Sequence, residues 1–285
     1  MRVPEQLRHH HPRDLSHARA IAHQAVQFPY RAARENLAPQ ADYSHTSLMW
    51  SRLNDAFGNA FLSQAIPVGT GEIHVGVSLV PLRLLLVQQN HVNQALDLTG
   101  TTVDAAANWL DAELAKLGLK PGGLPQPADD LPIGVAAVTD FESAVSGELE
   151  TLSAWFGLTH DVLSDFAARN DGITPGPSPV RCWPHHFDMA TYVALEAGDP
   201  ETANGVGLGL SPGDESYDQP YLYINPWPHL PTECLPDLPS PGHWHMHGFV
   251  GAVATGEAIL AAPEPVDLAD YVDQVFAESR RLLGA

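Results

Sequence analysis

The residues best suited to chemistry are histidines grouped on two expected strands. WPHHFDM (183–189) sets His185 beside His186 with Asp188 two residues on, and GHWHMHG (242–248) repeats His243, His245 and His247 at alternate positions. Side chains alternate between the faces of a strand, so His186 and Asp188 share one face and the three later histidines share another. Positions two apart lie roughly 6.5–7 Å apart at Cα, near enough for neighbouring imidazoles to converge on one ion. A one-ion site then uses His245 with His243 or His247, plus His186 or Asp188 from a neighbouring strand. His186, Asp188 and His243, the last of them 57 residues after the first, also match the two-histidine, one-carboxylate facial arrangement of non-haem iron. Oxoglutarate-dependent oxygenases usually carry an arginine shortly after the distal histidine. The segment GFVGAVATGEAI after His247 has none, and the strands are few for a jelly roll, so that family is set aside.

Imidazoles with one carboxylate suit iron or zinc, and an open coordination position would activate dioxygen or water. The expected activity is therefore metal-dependent, on a small molecule, with oxidation favoured over hydrolysis because aromatic surroundings suit iron. Asp188 and Glu257 are the candidate proton carriers, with Asp214 and Glu215 the other nearby acids. Trp183, His185, Tyr221, Tyr223 and Trp244 are the candidate pocket lining. A competing reading is structural. Trp183, Phe187, Met189, Trp244, Met246 and Phe249 interleave with the histidines, which gives these strands an apolar core face. The chain would then be a non-catalytic module that clasps a ligand or a partner. A third reading is a metal-free acid–base pair, His186 with Asp188.

Other motifs fail on physical grounds. GLSPG (209–213) spells a nucleophile elbow, but the oxyanion donor after the serine is Pro212, which has no N–H. Gly205, Gly207 and Gly209 do not complete a dinucleotide-binding glycine pattern, and no helix follows them to receive a phosphate. Cys182 lies three residues from His185, on the opposite face of a strand, so it reads as a small buried thiol. The run His9–His11 reads as a tail.

Composition bounds the partners. The chain has 285 residues with 14 basic and 34 acidic side chains, a formal net charge of −20. No cationic surface is available to neutralise phosphates, so nucleic acid and anionic membrane are poor partners and a small molecule is the expected one. Hydrophobic residues make up 44% and charged residues 17%, which excludes a disordered chain. The only cysteines, Cys182 and Cys234, are expected as reduced thiols. The most apolar stretch, Val75–Val87, contains Pro81 and Arg83 and is far shorter than a bilayer span. The first residues have no apolar core of a signal peptide, so the cytoplasm is the expected compartment.

The elements that must position these side chains are legible as periodicities. Asp14 is expected to cap a helix that ends near Pro29, with a short helix from Tyr30 to Leu37 after it. Ser44 is expected to cap a core-facing helix through Leu48, Met49, Leu53, Phe57, Ala60 and Phe61. From Glu72 the period becomes two, with Ile73, Val75, Val77 and Leu79 on one side. Arg83–Val87 and Val92–Leu98 form a hairpin around QQN, and a helix opens at Thr101 with a buried stripe through Val103, Ala106, Ala107, Leu110, Leu114 and Leu117 before Gly118 stops it. Thr139 with Glu142 is expected to box the start of a helix to about Trp155, and Thr159 to cap another reaching Arg169. Strands follow over 180–195, 206–210, 221–225 and 243–253, then a last helix after Asp267. The expected fold class is α+β: two halves, each a strand group followed by a helix, with mainly antiparallel sheet and packed helices. The expected organisation is an N-terminal helical segment (1–43), a first unit (44–119), a Pro/Gly linker (120–138) and a second unit with the histidine-rich strands (139–285), the two units packing as one compact domain.

SPVRCWPHHFDMA (178–190) and SPGDESYDQPYLYINPWP (211–228) resemble a bacterial domain-of-unknown-function family. Its members carry an S-P-V segment leading to an F-D-[LM]-A strand, then a P-G turn and a Y-x-Y strand ending in prolines. The likeness extends faintly to SHTSLMW and the last helix, covering most of the chain from about residue 44. It implies an α+β fold and contributes no activity.

Overall fold

The computed structural model describes residues 3–53, 57–122, 133–141, 145–199 and 202–285. The chain opens with helix α1 (Ser16–Asn36), followed by strands β1 (Met49–Arg52), β2 (Asn59–Leu62), β3 (Ile66–Val68), β4 (Gly71–Leu79), β5 (Leu82–Gln88) and β6 (His91–Asp97). Helices α2 (Val103–Lys116), α3 (Ile133–Ala136) and α4 (Ser146–Arg169) come next. Then come β7 (Gly176–Pro177), β8 (Arg181–Trp183), β9 (Asp188–Ala194), β10 (Gly205–Ser211), β11 (Tyr221–Trp227), β12 (His243–His245), β13 (Gly251–Thr255) and helices α5 (Gly256–Ala261) and α6 (Leu268–Leu283). The fold is α+β with two antiparallel sheets. The chain divides into two compact units: one is Leu15–Ser153 with Arg181–Phe187, the other Met1–Asp14, Ala154–Val180 and Asp188–Ala285.

The sheet of the first of these units runs β1-β2-β4-β5-β6, with β3 paired to β4. The alternation in β4 is real, since Ile73, Val75, Val77 and Leu79 are buried, but Gly76 and Ser78 are buried too. The β5–β6 hairpin turns on Gln89 and Asn90, both at positive φ (50° and 61°), the backbone twist that two-residue hairpin turns require. Thr102 caps α2 by accepting from the Ala105 N–H at 3.1 Å, and Gly118 at φ 73° ends it.

Three expectations are corrected here. Residues 48–62 form β1 and β2 in place of a helix, pairing Met49 with Leu62 and Trp50 with Phe61. The same apolar positions fit both periods, and pairing of β2 with β4 decides between them. There is no break at Pro29, because α1 runs on to Asn36. Proline removes one helical hydrogen bond, at a few kcal/mol, but α1 is buried around its whole circumference from Ile21 to Ala33, and that packing outweighs the loss. Thr159 caps nothing, since it lies buried inside the unbroken α4. Glu142 and residues 123–132 of the expected linker lie outside the described residues.

In the other unit the sheet order is β12-β13-β11-β10-β9-β7. Val206, Leu208 and Leu210 of β10 stand beside Pro226, Ile224 and Leu222 of β11 and are buried. Helix α6 packs on β11 and β10 and buries Tyr271, Val272, Val275 and Phe276. The alternate positions of β10 are Gly205, Gly207 and Gly209. A Cβ on Gly209 would meet the Tyr223 ring and hydroxyl at 2.5 Å and the Met189 carbonyl oxygen at 2.7 Å. The glycines therefore leave the room in which tyrosine rings lie across the strand.

Candidate functional site

The register of the second sheet sets one row of residues on the glycine face: Ala190, Gly209, Tyr223, Val253 and His243 are successive neighbours on β9, β10, β11, β13 and β12. Tyr221 shares the face with Tyr223, two residues away. His245 shares it with His243. Each side chain is anchored by a named partner. The Tyr223 O–H donates to Asp188 and the Tyr221 O–H to Asp214, both at 2.5 Å.

Tyr217 completes the group from the loop after β10. Gly213, at φ 117°, turns the chain there. The Asp214 carboxylate then accepts the backbone N–H of Ser216 at 2.8 Å and of Tyr217 at 3.1 Å, an aspartate turn that fixes the loop. The Tyr217 hydroxyl lies 2.9 Å from Nε2 of His243 and 2.9 Å from Nδ1 of His245. Nε2 of His245 faces the His247 carbonyl oxygen at 2.5 Å, and the His245 ring stacks on Phe249 with centroids 4.3 Å apart.

Hydrogen-bond accounting assigns the protons. A carbonyl only accepts, so Nε2 of His245 carries its proton and Nδ1 accepts from Tyr217. The single Tyr217 proton is then committed, and the Tyr217 oxygen accepts from Nε2–H of His243. Nδ1 of the exposed His243 keeps its lone pair. Partial desolvation of its ring nitrogens, and secondarily His245, lowers the His243 pKa below its ordinary value. Burial, with Asp214 behind it, raises that of Tyr217. Tyr221 is pushed up by burial first and by its Asp214 bond second. The group is thus a protonated phenol held between two imidazole rings.

The remaining expected site residues fall elsewhere. Strand 180–195 is interrupted by a turn at Pro184–Phe187, where the Trp183 carbonyl accepts from both His186 and Phe187 N–H groups and Phe187 sits at φ 59°. His185 and His186 are thus exposed turn residues, and the shared strand face expected for His186 and Asp188 does not form. His185 meets Tyr30, ring centroids 4.9 Å apart. Trp183 is half-buried in β8. Strand 243–253 is likewise two strands, and His247 lies exposed in the loop between them, off the strand face expected for it. Trp244 points to the opposite face of β12 from its histidine neighbours and donates Nε1–H to the Pro236 carbonyl at 2.7 Å. Glu257 is taken up by Arg13 and Gln219, and these hydrogen bonds hold its carboxyl below the usual range. Cys182 is a buried thiol in no described disulfide, and the side chain of Cys234 lies outside the described residues.

Among the described residues, no group of three or more His, Cys, Asp or Glu side chains is placed to hold a metal ion. No described helix is long and apolar enough to cross a membrane. Tyr217 is the member of the cluster that residue spacing does not reveal, since it sits in a loop outside both histidine motifs. The aspartate turn in GDESY is the local feature that points to it. Comparison of the chain with protein-family models, with curated proteins and with solved structures finds no match.

Proposed function

We propose that the chain binds a small ring-bearing molecule on the tyrosine and histidine face of its second sheet and transfers a proton on it through His243, Tyr217 and His245. The observation that carries this reading is the Tyr217 hydroxyl, 2.9 Å from an imidazole nitrogen on either side. A proton taken from the ligand by Nδ1 of His243 is matched by release of the Nε2 proton to the Tyr217 oxygen. The phenolic proton passes to Nδ1 of His245, and the positive charge formed there is stabilised by the His247 carbonyl. His243 is the general base at the exposed end, and Tyr217 relays the proton. Tyr223, half-buried and fixed by Asp188, offers a flat apolar face with a polar edge to a planar ligand, and the buried Tyr221 ring packs beside it with centroids 6.3 Å apart.

The competing arrangement is an iron or zinc ion on His243 and His245. It would need the His245 ring, whose two nitrogens are both engaged, to give up Tyr217 or the His247 carbonyl, exchanging a bond already satisfied for coordination. The metal-free reading leaves every one of those bonds in use.

The test is a fragment screen of small aromatic hydroxy and carbonyl compounds by NMR chemical shift, on the wild type, Tyr217→Phe and Tyr223→Phe. The reading expects a ligand whose shifts cluster at 214–223 and 243–247 and whose binding weakens in both variants. Ligands that bind without touching those segments, or equally to both variants, would reject it.

A further inference from the structure

Given the proton transfer proposed above, we infer that Arg13, far from the site in sequence, is a positioning residue for Tyr217. It acts through Asp218, the residue after Tyr217. Residues 212–220 carry Tyr217 across a stretch without helix or strand, so its place depends on anchors at both ends. The Asp214 turn holds the entry. At the exit, the Gly256 N–H donates to the Pro220 carbonyl at 2.6 Å. The buried Gln219 accepts the Glu257 N–H at 2.8 Å and donates its Nε2–H to the Glu257 carboxylate at 3.3 Å. These bonds pin 219 and 220 to the start of α5 and stop one residue short of Asp218.

Arg13 supplies the next anchor. Its Nη1 donates to both oxygens of Asp218, at 3.1 and 3.3 Å, while its Nε–H and Nη2 each meet Oε2 of Glu257 at 3.1 Å. One planar guanidinium thus ties Asp218 to the residue that already holds Gln219. The N-terminal segment is itself seated on α5. Arg8 donates to the Leu260 carbonyl at 3.0 Å, and a Cβ on Gly256 would lie 3.3 Å from Pro12.

Arg13, Asp218 and Glu257 are each about half exposed, so their ion pairs contribute little to stability. Their effect is geometric. The Tyr217 hydroxyl meets two imidazole nitrogens at 2.9 Å, and a displacement of about half an ångström would carry such a bond out of its usual range. A lysine at position 13 would keep the charge, but its compact ammonium lacks the planar fork that spans two carboxylates.

The long-range ¹⁵N–¹H spectrum of the histidine rings in the full chain at pH 7 tests this, with Tyr217→Phe as the reference for complete loss of the hydroxyl's bonds. Arg13→Ala should move the His243 and His245 rings part of the way to their Tyr217→Phe positions, leave the His74 ring in place, and melt close to the wild type. Arg13→Lys should move the two rings likewise. Combining Arg13→Ala with Asp218→Ala should move them no further than either change alone, because both remove the same bond. Should Arg13→Ala fail to fold, Asp218→Ala decides by the same signals. Rings unmoved in Arg13→Ala but moved in Tyr217→Phe would overturn the inference and leave the relay standing, as would wild-type ring signals in Arg13→Lys. Rings unmoved by Tyr217→Phe as well would remove the relay and, with it, the need for this clamp.

Discussion

Lowering the pH from 7 to 5 should destabilise the unit containing α1 through His23. This imidazole is 4% exposed. Its Nε2–H donates to the Pro184 carbonyl at 2.8 Å, and its ring stacks on Phe187 with centroids 5.1 Å apart. Burial is the main reason its pKa falls from 6.5 to about 4, against the opposing Pro184 hydrogen bond and with smaller help from Arg19, His186 and His185. A folded-state value below the unfolded one means that the unfolded chain binds the proton more readily. The stability is therefore complete above pH 6.5 and is lost as pH falls towards 4. At about 1.4 kcal/mol per pH unit the full loss is on the order of 3 kcal/mol, of which about 2 kcal/mol falls between pH 7 and 5. Urea unfolding of the wild type and of His23→Gln at both pH values isolates this contribution, because every other titrating group is shared. The variant should lose about 2 kcal/mol less over that interval. An identical pH dependence in the two proteins would refute the argument that a neutral, desolvated His23 carries it.

The glycine face makes a graded prediction. Gly209→Ala should destabilise by about 1–3 kcal/mol, because its Cβ meets the Met189 backbone as well as the Tyr223 ring. Gly205→Ala should cost less, although its Cβ would lie 2.0 Å from the Tyr192 hydroxyl, since Tyr192 is 38% exposed and free to swing outward; thermal melts of both variants check the order. Tyr217→Phe should destabilise by about 1 kcal/mol through the loss of two partly exposed hydrogen bonds, readable by urea unfolding at pH 7. Elemental analysis of the purified chain should find no stoichiometric iron or zinc that depends on His243 and His245. Stoichiometric metal that disappears in a folded His243→Ala, His245→Ala variant would replace the proton-transfer reading with a metal-centred one.

Much of the fold is written locally and so is legible in the sequence. The period of two in β4, the QQN hairpin, the capped α2 and the α6 stripe each depend on neighbours within a few residues. Residues 48–62 are different, because Leu48, Met49, Leu53, Phe57, Ala60 and Phe61 satisfy a helical spacing as well as two short strands, and the choice is made by a distant partner, β4. The histidine motifs fail for a related reason. Alternation of faces holds only along an unbroken strand, whereas Pro184 and the left-handed Phe187 turn the segment 183–189, and a five-residue loop, 246–250, interrupts 242–248. His243 and His245 keep their shared face because they alone of the group stay within one strand. The glycine alternation of β10 is visible in the sequence, but its meaning depends on the Tyr223 ring of a paired strand.

The most direct test of the central claim is a ¹⁵N–¹H long-range correlation spectrum of the histidine rings at pH 7, with and without Tyr217→Phe. The hydrogen bonds around the Tyr217 hydroxyl predict that His243 and His245 both carry the proton on Nε2, and that the substitution shifts these two rings before any other. Ring signals of His243 and His245 that match freely exchanging surface imidazoles, unchanged by Tyr217→Phe, would contradict the claim.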